Sequence, residues 1–275
     1  MRPPYGPIPL VTIACVSYAV METSESSRGA WVEVVNGSVC LRCWRAEPQS
    51  IANDNEIKSL IKRVYIVLPE VFGVNAWVRG VADRLAAHGH PALAVPLFSR
   101  TAPNLELAYE PADLVQGRRH KDATTSEQIL GDVAAAVSWV RARYPQAAVY
   151  VVGFCFGGHA AFLAATLPGV EQVFDFYGAG ISRMRPGGGE PSLALLPEIQ
   201  ARLTCVFGTA DPLIPHEYRE AIGDDLRKAD PAGQRLSFVE CAGADHGFMC
   251  EDRSSFDPQA SAQGWRLLVG GDPVV

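Results

Sequence analysis

Short apolar runs alternate with longer amphipathic segments along most of this chain. The pattern begins with two alternating β-type runs between Trp31 and Trp44, joined by Asn36-Gly37, the dipeptide that best suits a two-residue hairpin turn. Residues 46–60 are polar and mixed, so we expect a surface loop there. The chain is therefore predicted to open with a β-hairpin.

Strand and helix patterns then follow one another in turn. The predicted strands are Val64–Leu68, Ala92–Pro96, Ala147–Phe154, Gln172–Tyr177, Thr204–Phe207 and Leu236–Glu240. The predicted helices are Ala76–His88, Ser126–Tyr144, Phe156–Leu167, His216–Lys228 and Pro258–Leu268. This alternation indicates βαβ units and an α/β fold, with a mostly parallel central sheet, helices on both faces and a ligand site at the carboxyl ends of the strands.

A single domain over residues 28–275 accounts for this pattern, because the sequence contains no internal repeat and no linker. Residues 1–27 are interpreted as an N-terminal extension. Its apolar part, Ile8–Val20, resembles a weak signal-peptide core, but no cleavage site of the A-x-A type follows it. We prefer an upstream extension with Met21 as a candidate start, and an export signal is the alternative.

The composition excludes several classes of function. A chain of 275 residues with 48% hydrophobic residues can bury a large core, and a net charge of −6 provides no basic field for nucleic acid or an anionic membrane. The seven cysteines are odd in number and scattered, unlike a disulfide framework, so we expect reduced thiols and a cytoplasmic location. No segment approaches the length of about 20 apolar residues that a membrane span needs.

Cys155 is the candidate nucleophile. It lies in Gly153-Phe-Cys-Phe-Gly157-Gly158, between a predicted strand and a predicted helix. A nucleophile elbow requires this strand–turn–helix context, and glycines around the turn avoid collisions with neighbouring backbone. The start of a helix also favours a thiolate, which is the reactive form of cysteine.

A carboxylate and then a histidine are expected downstream of this nucleophile, which is the chain order of such sites. Asp211 follows the strand Thr204–Phe207, and His246 lies in a glycine-flanked loop after the last predicted strand. Asp211 would fix the tautomer of the imidazole and stabilise the imidazolium. His159, one turn beyond Cys155, is interpreted as a packing residue.

These residues resemble the dienelactone hydrolase family of the α/β-hydrolase fold, and the resemblance covers nearly all of Trp31–Leu268. The segment that begins Leu68-Pro-Glu70 is similar to the family segment whose glutamate contacts the resting thiol and helps to activate it, which implies that role for Glu70. The resemblance also implies an oxyanion hole made by the backbone N–H groups of Val71 and Phe156.

Arginines that bind a substrate carboxylate are a further implication of the resemblance. Phe98-Ser-Arg100 is similar to the segment that carries one of them, so Arg100 is a candidate anion anchor. Enzymes of the family that are specific for dienelactone carry a second arginine four residues after the histidine. Cys250 occupies that position here, and Arg253 is the candidate replacement. If Arg253 does not replace it, the substrate is a different ester or lactone.

The implied activity is hydrolysis of a small ester or lactone through a thioester on Cys155. For a dienelactone this reaction converts carboxymethylenebutenolide to maleylacetate, a step of aromatic degradation. The motifs imply no metal and no organic cofactor. We expect a monomer that binds a small-molecule substrate and neither nucleic acid nor a membrane.

Two other interpretations stay open at this point. Cys40-Leu-Arg-Cys43 is a C-x-x-C of the kind used in zinc and redox sites, but it has no second ligand pair, and residues three apart on a strand face opposite sides. The alternative from another class is a catalytically silent hydrolase fold used for ligand binding or thiol-redox sensing. That alternative predicts no turnover.

Overall fold

The structure is a computed structural model that describes residues 29–48 and 55–270. The expected N-terminal extension, with its candidate start Met21, lies outside the described residues, as does the middle of the expected loop 46–60. Within the described ranges, no helix combines the length and the apolar character needed to cross a membrane.

One sheet of eight strands, flanked by helices, organises the described chain. The strands are β1 (Ala30–Asn36), β2 (Val39–Ala46), β3 (Arg63–Leu68), β4 (Ala92–Ala94), β5 (Ala148–Phe154), β6 (Gln172–Phe176), β7 (Arg202–Gly208) and β8 (Leu236–Cys241). The helices are α1 (Asn55–Leu60), α2 (Ala76–Ala87), α3 (Pro111–Asp122), α4 (Ser126–Arg143), α5 (Phe156–Ala164), α6 (His216–Ala229) and α7 (Pro258–Val269).

The strand order is β1-β2-β4-β3-β5-β6-β7-β8. The pairs β1–β2 and β2–β4 are antiparallel, and every other neighbouring pair is parallel. All residues from Val64 to Leu68 are buried, as a continuous apolar run in a parallel sheet predicts. The sheet confirms the predicted α/β class and has the arrangement of an α/β-hydrolase fold.

The opening hairpin forms where its turn dipeptide predicts it. Asn36 pairs with Val39 across the turn. On β2, Cys40 is exposed and Cys43 is buried, so these two cysteines lie on opposite faces of the sheet. This geometry counts against a shared metal or redox site at the C-x-x-C.

Three helical segments are absent from the sequence prediction. The loop expected over residues 46–60 is wrong in its last part, which forms α1, and the other two segments are α3 and a 3-10 helix over Ser192–Glu198. The hydrophobic periodicity of the sequence does not predict α3, because this helix is polar on nearly every side and Gly117 is its one buried residue. Packing against the rest of the fold therefore stabilises a helix that has no apolar stripe of its own.

Two predicted elements end two or more residues earlier than expected. Strand β4 ends at Ala94 and does not reach Pro96, because proline has no N–H to donate to a ladder. Helix α5 ends at Ala164, a few residues before Pro168, whose ring disfavours helical backbone at the preceding residue.

The parallel strands place the candidate residues at one edge of the sheet. Strands β3, β5, β7 and β8 run in the same direction, so their carboxyl ends meet at that edge. The loops that leave these ends carry, in chain order, Glu70, Cys155, Asp211 and His246. Residues that are far apart in sequence thus converge because the sheet is parallel.

The close approach at the end of β7 generates a stability prediction. A Cβ on Gly208 would lie 2.2 Å from the carbonyl oxygen of Ala244, so Gly208→Ala forces the backbone to shift and should lower the free energy of unfolding by about 1–3 kcal/mol. Gly80, in the middle of α2, is the matched control, since a Cβ there would meet nothing within 4 Å. Gly80→Ala should raise the free energy of unfolding by about 0.5–1 kcal/mol. Urea unfolding under reducing conditions measures both, and equal stabilities of the two variants would contradict this account.

Candidate active site

The chain makes a sharp turn at Cys155, between β5 and α5. Cys155 has φ 55° and ψ −118°, a backbone conformation that residues other than glycine rarely adopt and that is typical of functional sites. Its N–H donates to the carbonyl of Phe176 at 3.0 Å, which ties the turn to the end of β6. The thiol therefore lies at the N-terminus of α5, where the helix dipole favours a thiolate.

Glycines on both sides of Cys155 allow the turn to form. A Cβ on Gly153 would lie 1.8 Å from the carbonyl oxygen of Gly157. A Cβ on Gly157 would in turn lie 2.3 Å from the carbonyl oxygen of Leu68. Backbone atoms occupy these positions, so no side chain fits at either residue, as the motif predicts.

The loops after β7 and β8 bring Asp211 and His246 together. Nδ1 of His246 lies 2.8 Å from Oδ2 of Asp211, and both side chains are buried. The other carboxylate oxygen of Asp211 accepts a hydrogen bond from the N–H of Leu213 at 2.8 Å. Because a carboxylate at Nδ1 requires a proton on that nitrogen, Nε2 is the nitrogen free for chemistry. Nε2 is buried and has no hydrogen-bond partner among the described residues.

The surroundings of His246 favour its charged form. Burial opposes protonation, but the interaction with an ionised Cys155 and the hydrogen bond and charge of Asp211 outweigh it and raise the pKa of His246 to about 10. The ring of Tyr177 packs edge-on against the imidazole, with ring centroids 5.2 Å apart. At neutral pH these surroundings support an imidazolium close to the candidate nucleophile.

A cavity of about 290 Å³ lies over Cys155 and His246. Val71 and Phe156, the residues expected to form the oxyanion hole, both line it. Phe156 is the first residue of α5, so its N–H has no acceptor within the helix. The apolar part of the wall includes Phe72, Leu114, Met184 and Leu213. The cavity thus offers a thiol, a histidine and backbone donors to a small substrate.

Glu70 and Arg253 form an ion pair beside this cavity. Nη1 of Arg253 donates to Oε1 of Glu70 at 2.7 Å, and the Glu70 side chain is only 1% exposed. Its second oxygen, Oε2, has no hydrogen-bond partner among the described residues. Burial raises the pKa of Glu70 against the opposing charges of Arg253 and His246. Arg253 lines the cavity, but a carboxylate of the protein already binds it.

The structure does not bring Arg100 to the cavity. Its guanidinium binds Asp132 at two points, with Nη1–Oδ2 and Nη2–Oδ1 distances of 2.6 and 3.0 Å. The hydrogen bond with Asp132 raises the pKa of Arg100 further. Asp132 is fully buried and also accepts a hydrogen bond from the side chain of Asn36. Arg100 is thus engaged within the fold, and its expected contact with a substrate carboxylate gains no support from this position.

Helix α3 supplies cavity residues that the sequence analysis missed. They are Leu114, Arg118 and Lys121. The signal that could have located this helix is its N-terminus, where Glu110 and Asp113 form a capping box and Pro111 occupies the first turn. A polar helix is recognised by its caps when it lacks an apolar stripe.

His159 also lines the cavity, yet its ring nitrogens are occupied. Nδ1 lies 2.9 Å from the carbonyl oxygen of Ala179, and Nε2 lies 2.7 Å from Oγ of Ser192. Burial lowers the pKa of His159 to about 4, so the ring is neutral at physiological pH. These contacts agree with a packing role. Among the described residues, no group of three or more His, Cys, Asp or Glu side chains is arranged to hold a metal ion.

Comparison with known proteins identifies relatives over most of the chain. The model of the dienelactone hydrolase family matches residues 55–270. A Synechocystis sp. protein provisionally named carboxymethylenebutenolidase is 38% identical over 207 residues, which cover 74% of this chain and 83% of that protein. The carboxymethylenebutenolidase of Pseudomonas putida is 30% identical over 203 residues, which cover 72% of this chain and 80% of that enzyme.

A solved structure is similar in its overall fold. A Klebsiella pneumoniae protein provisionally described as a dienelactone hydrolase superposes with a TM-score of 0.75 at 23% sequence identity. The superposition covers 88% of this chain and 97% of that one. At this level of identity, the likeness shows a common fold.

The charge state of His246 generates a prediction. Its imidazole should titrate near pH 10 in the wild type. Because the raised pKa depends on negative neighbours, Cys155→Ala and Asp211→Asn should each lower it by at least about one unit. NMR of histidine-labelled protein, assigned with His246→Gln, measures these values. His159 serves as an internal control, since its pKa of about 4 should not move. A His246 pKa near 10 in Cys155→Ala would exclude the thiolate as a cause.

Proposed function

The chain belongs to the dienelactone hydrolase family and is a hydrolase, and from that premise we propose that it cleaves a small ester or lactone through a thioester on Cys155. The observation that carries this proposal is the strained cysteine that shares one cavity with an aspartate-bound histidine. By analogy with the Pseudomonas putida relative, a carboxymethylenebutenolide is the substrate to test first.

Acylation follows from the geometry of the cavity. The Cys155 thiolate attacks the carbonyl carbon, and the electron pair of the C=O bond moves to the oxygen. The N–H groups of Val71 and Phe156 stabilise the resulting oxyanion, because both residues line the cavity beside the thiol. The intermediate then collapses to a thioester, and the leaving oxygen takes the proton from Nε2 of His246. For a dienelactone this leaving group is an enolate.

Deacylation uses the same residues in the opposite sense. Neutral His246 takes a proton from a water molecule, which attacks the thioester carbonyl. Collapse of the second intermediate releases the carboxylic acid and restores the thiolate beside the imidazolium. Asp211 holds Nδ1 throughout and so keeps Nε2 directed at the reacting atoms.

Glu70 has properties that suit it to act on the thiol before substrate attack. Its carboxylate is buried beside the cavity, burial raises its pKa, and Oε2 has no hydrogen-bond partner among the described residues. A carboxylate that binds protons more strongly than usual is a better base. We therefore assign to Glu70 the removal of the thiol proton before attack and its return to the thiolate after the product leaves, with Arg253 holding the carboxylate in place.

The nucleophile is tested by replacing Cys155. Cys155→Ala should lower kcat/KM by roughly three orders of magnitude or more, since it removes the attacking atom. Steady-state hydrolysis of cis- and trans-dienelactone and of 4-nitrophenyl acetate, followed by ultraviolet absorbance, measures this loss. The wild type quenched in acid during turnover should carry the mass of one acyl group, and hydroxylamine should remove it. The structural control is Gly80→Ala. Wild-type protein that hydrolyses none of these substrates would favour the catalytically silent fold.

The Glu70–Arg253 pair generates a separate prediction. Arg253→Met leaves the buried carboxylate without its cation, which raises the pKa of Glu70 further and disturbs its position. We expect kcat to fall about tenfold or more for anionic and neutral esters alike, because the defect acts on the thiol. Arg253→Lys keeps the charge and should retain more activity. If Arg253→Met impaired only anionic substrates, Arg253 would be a substrate anchor instead.

A further inference from the structure

One face of α3 forms part of the active-site cavity. Leu114, Gly117, Arg118 and Lys121 follow the i, i+3, i+4, i+7 spacing that places residues on one side of a helix. Gly117 is buried against the backbone of the oxyanion-hole residue Val71, where a Cβ would lie 2.3 Å from the carbonyl oxygen. This contact holds α3 against the site, and the other three residues of the face line the cavity.

The side of this face that lines the cavity carries two cations, Arg118 and Lys121. Gly117 is the one buried residue of the helix, so both cations keep access to water. The cavity lining within the described chain also contains Arg253 and no Asp or Glu, although the protein has a net charge of −6. The cavity is therefore a cationic region in an acidic protein.

Besides His246, which Asp211 binds, the three basic side chains of the lining differ in their availability to a ligand. Arg253 is bound by Glu70. The guanidinium of Arg118 makes no ion pair or hydrogen bond with the part of the chain that the structure describes. Lys121 contacts the carboxylate of Asp122, whose side chain is 69% exposed, and an exposed pair of this kind contributes little. Arg118 and Lys121 are thus the cations that an incoming anion can bind.

Burial supports an orientation for such a ligand. The thiol of Cys155 lies in the inner part of the site beside buried His246, whereas Arg118 is exposed and Lys121 is partly exposed. A substrate whose scissile carbonyl is at the thiol can therefore direct a distal group toward α3. The planar guanidinium suits a two-point contact with a carboxylate, and the ammonium adds a second charge.

We propose that Arg118 and Lys121 form the anion subsite of this enzyme and select esters or lactones that carry a carboxylate away from the scissile bond. This inference rests on the proposed function. It assigns to α3 the role that the sequence resemblance implied for Arg100, whose guanidinium is bound by Asp132.

The test compares two substrates of similar length. Mono-(4-nitrophenyl) glutarate ends in a carboxylate, and 4-nitrophenyl valerate ends in a methyl group. The readout is the selectivity ratio, which is kcat/KM for the glutarate ester divided by kcat/KM for the valerate ester. Arg118→Gln and Lys121→Gln should each lower this ratio about tenfold, and the double variant about a hundredfold, chiefly through KM for the anionic ester. Arg119→Gln removes the same charge from the neighbouring position, outside the cavity lining, and should keep the wild-type ratio.

Salt provides a second readout. Sodium chloride should lower the ratio in the wild type and have little effect on it in the double variant, because the selectivity is electrostatic. An unchanged ratio in the double variant would overturn the proposal and leave α3 with surface charges only. Equal falls in the double variant and Arg119→Gln would also overturn it, since a general field would then be the cause.

A binding measurement separates this proposal from the proposed function. Glutarate should slow the alkylation of Cys155 by iodoacetamide in the wild type and in Arg119→Gln, and this protection should be lost in the double variant. Protection without turnover of either ester would support the subsite and count against the hydrolase mechanism. Turnover of both esters without protection or selectivity would retain the mechanism and overturn the subsite.

Discussion

The contact between Gly157 and the backbone after β3 is the constraint on which the site depends. The carbonyl oxygens of Leu68 and Pro69 lie 2.3 and 2.5 Å from the place a Cβ would occupy, so the start of α5 is packed directly against that segment. The two sides of this junction carry Cys155 and Phe156 on one and Glu70 and Val71 on the other. One backbone contact thus sets the relative positions of the thiol, the segment that carries Glu70 and both expected oxyanion donors.

The charges around this junction alternate in sign and depend on one another. Asp211 pairs with His246, Arg253 pairs with Glu70, and a negative charge on Cys155 would stabilise both His246 and Arg253 in their charged forms. Each group alone would lose too much hydration to stay charged in a buried site. Together they compensate one another, so the protonation of any member belongs to the set and not to a single residue.

The sequence predicts the parts of this site that local backbone chemistry encodes. The elbow can be predicted because glycines must surround Cys155, and the loops of Asp211 and His246 can be predicted because they follow recognisable strands. The partners in the ion pairs cannot be predicted from the sequence in the same way. Which carboxylate Arg100 meets depends on the packing of α4, and which one Arg253 meets depends on the loop after β8. Hydrophobic periodicity does not predict helix α3 for a related reason. The stability of this helix comes from packing and caps and not from an apolar stripe.

The site itself has two parts, one that the sequence predicts and one that depends on tertiary packing. The groups assigned to bond making lie on loops that leave the parallel strands, where the register of the sheet holds them. The groups that face a distal part of a ligand lie on α3, a surface helix that touches the site through Gly117 and Val71. Because little else on α3 is buried, its exposed positions can change without disturbing the core. Under the proposed function, substitutions on α3 would therefore change selectivity without altering the groups assigned to bond making.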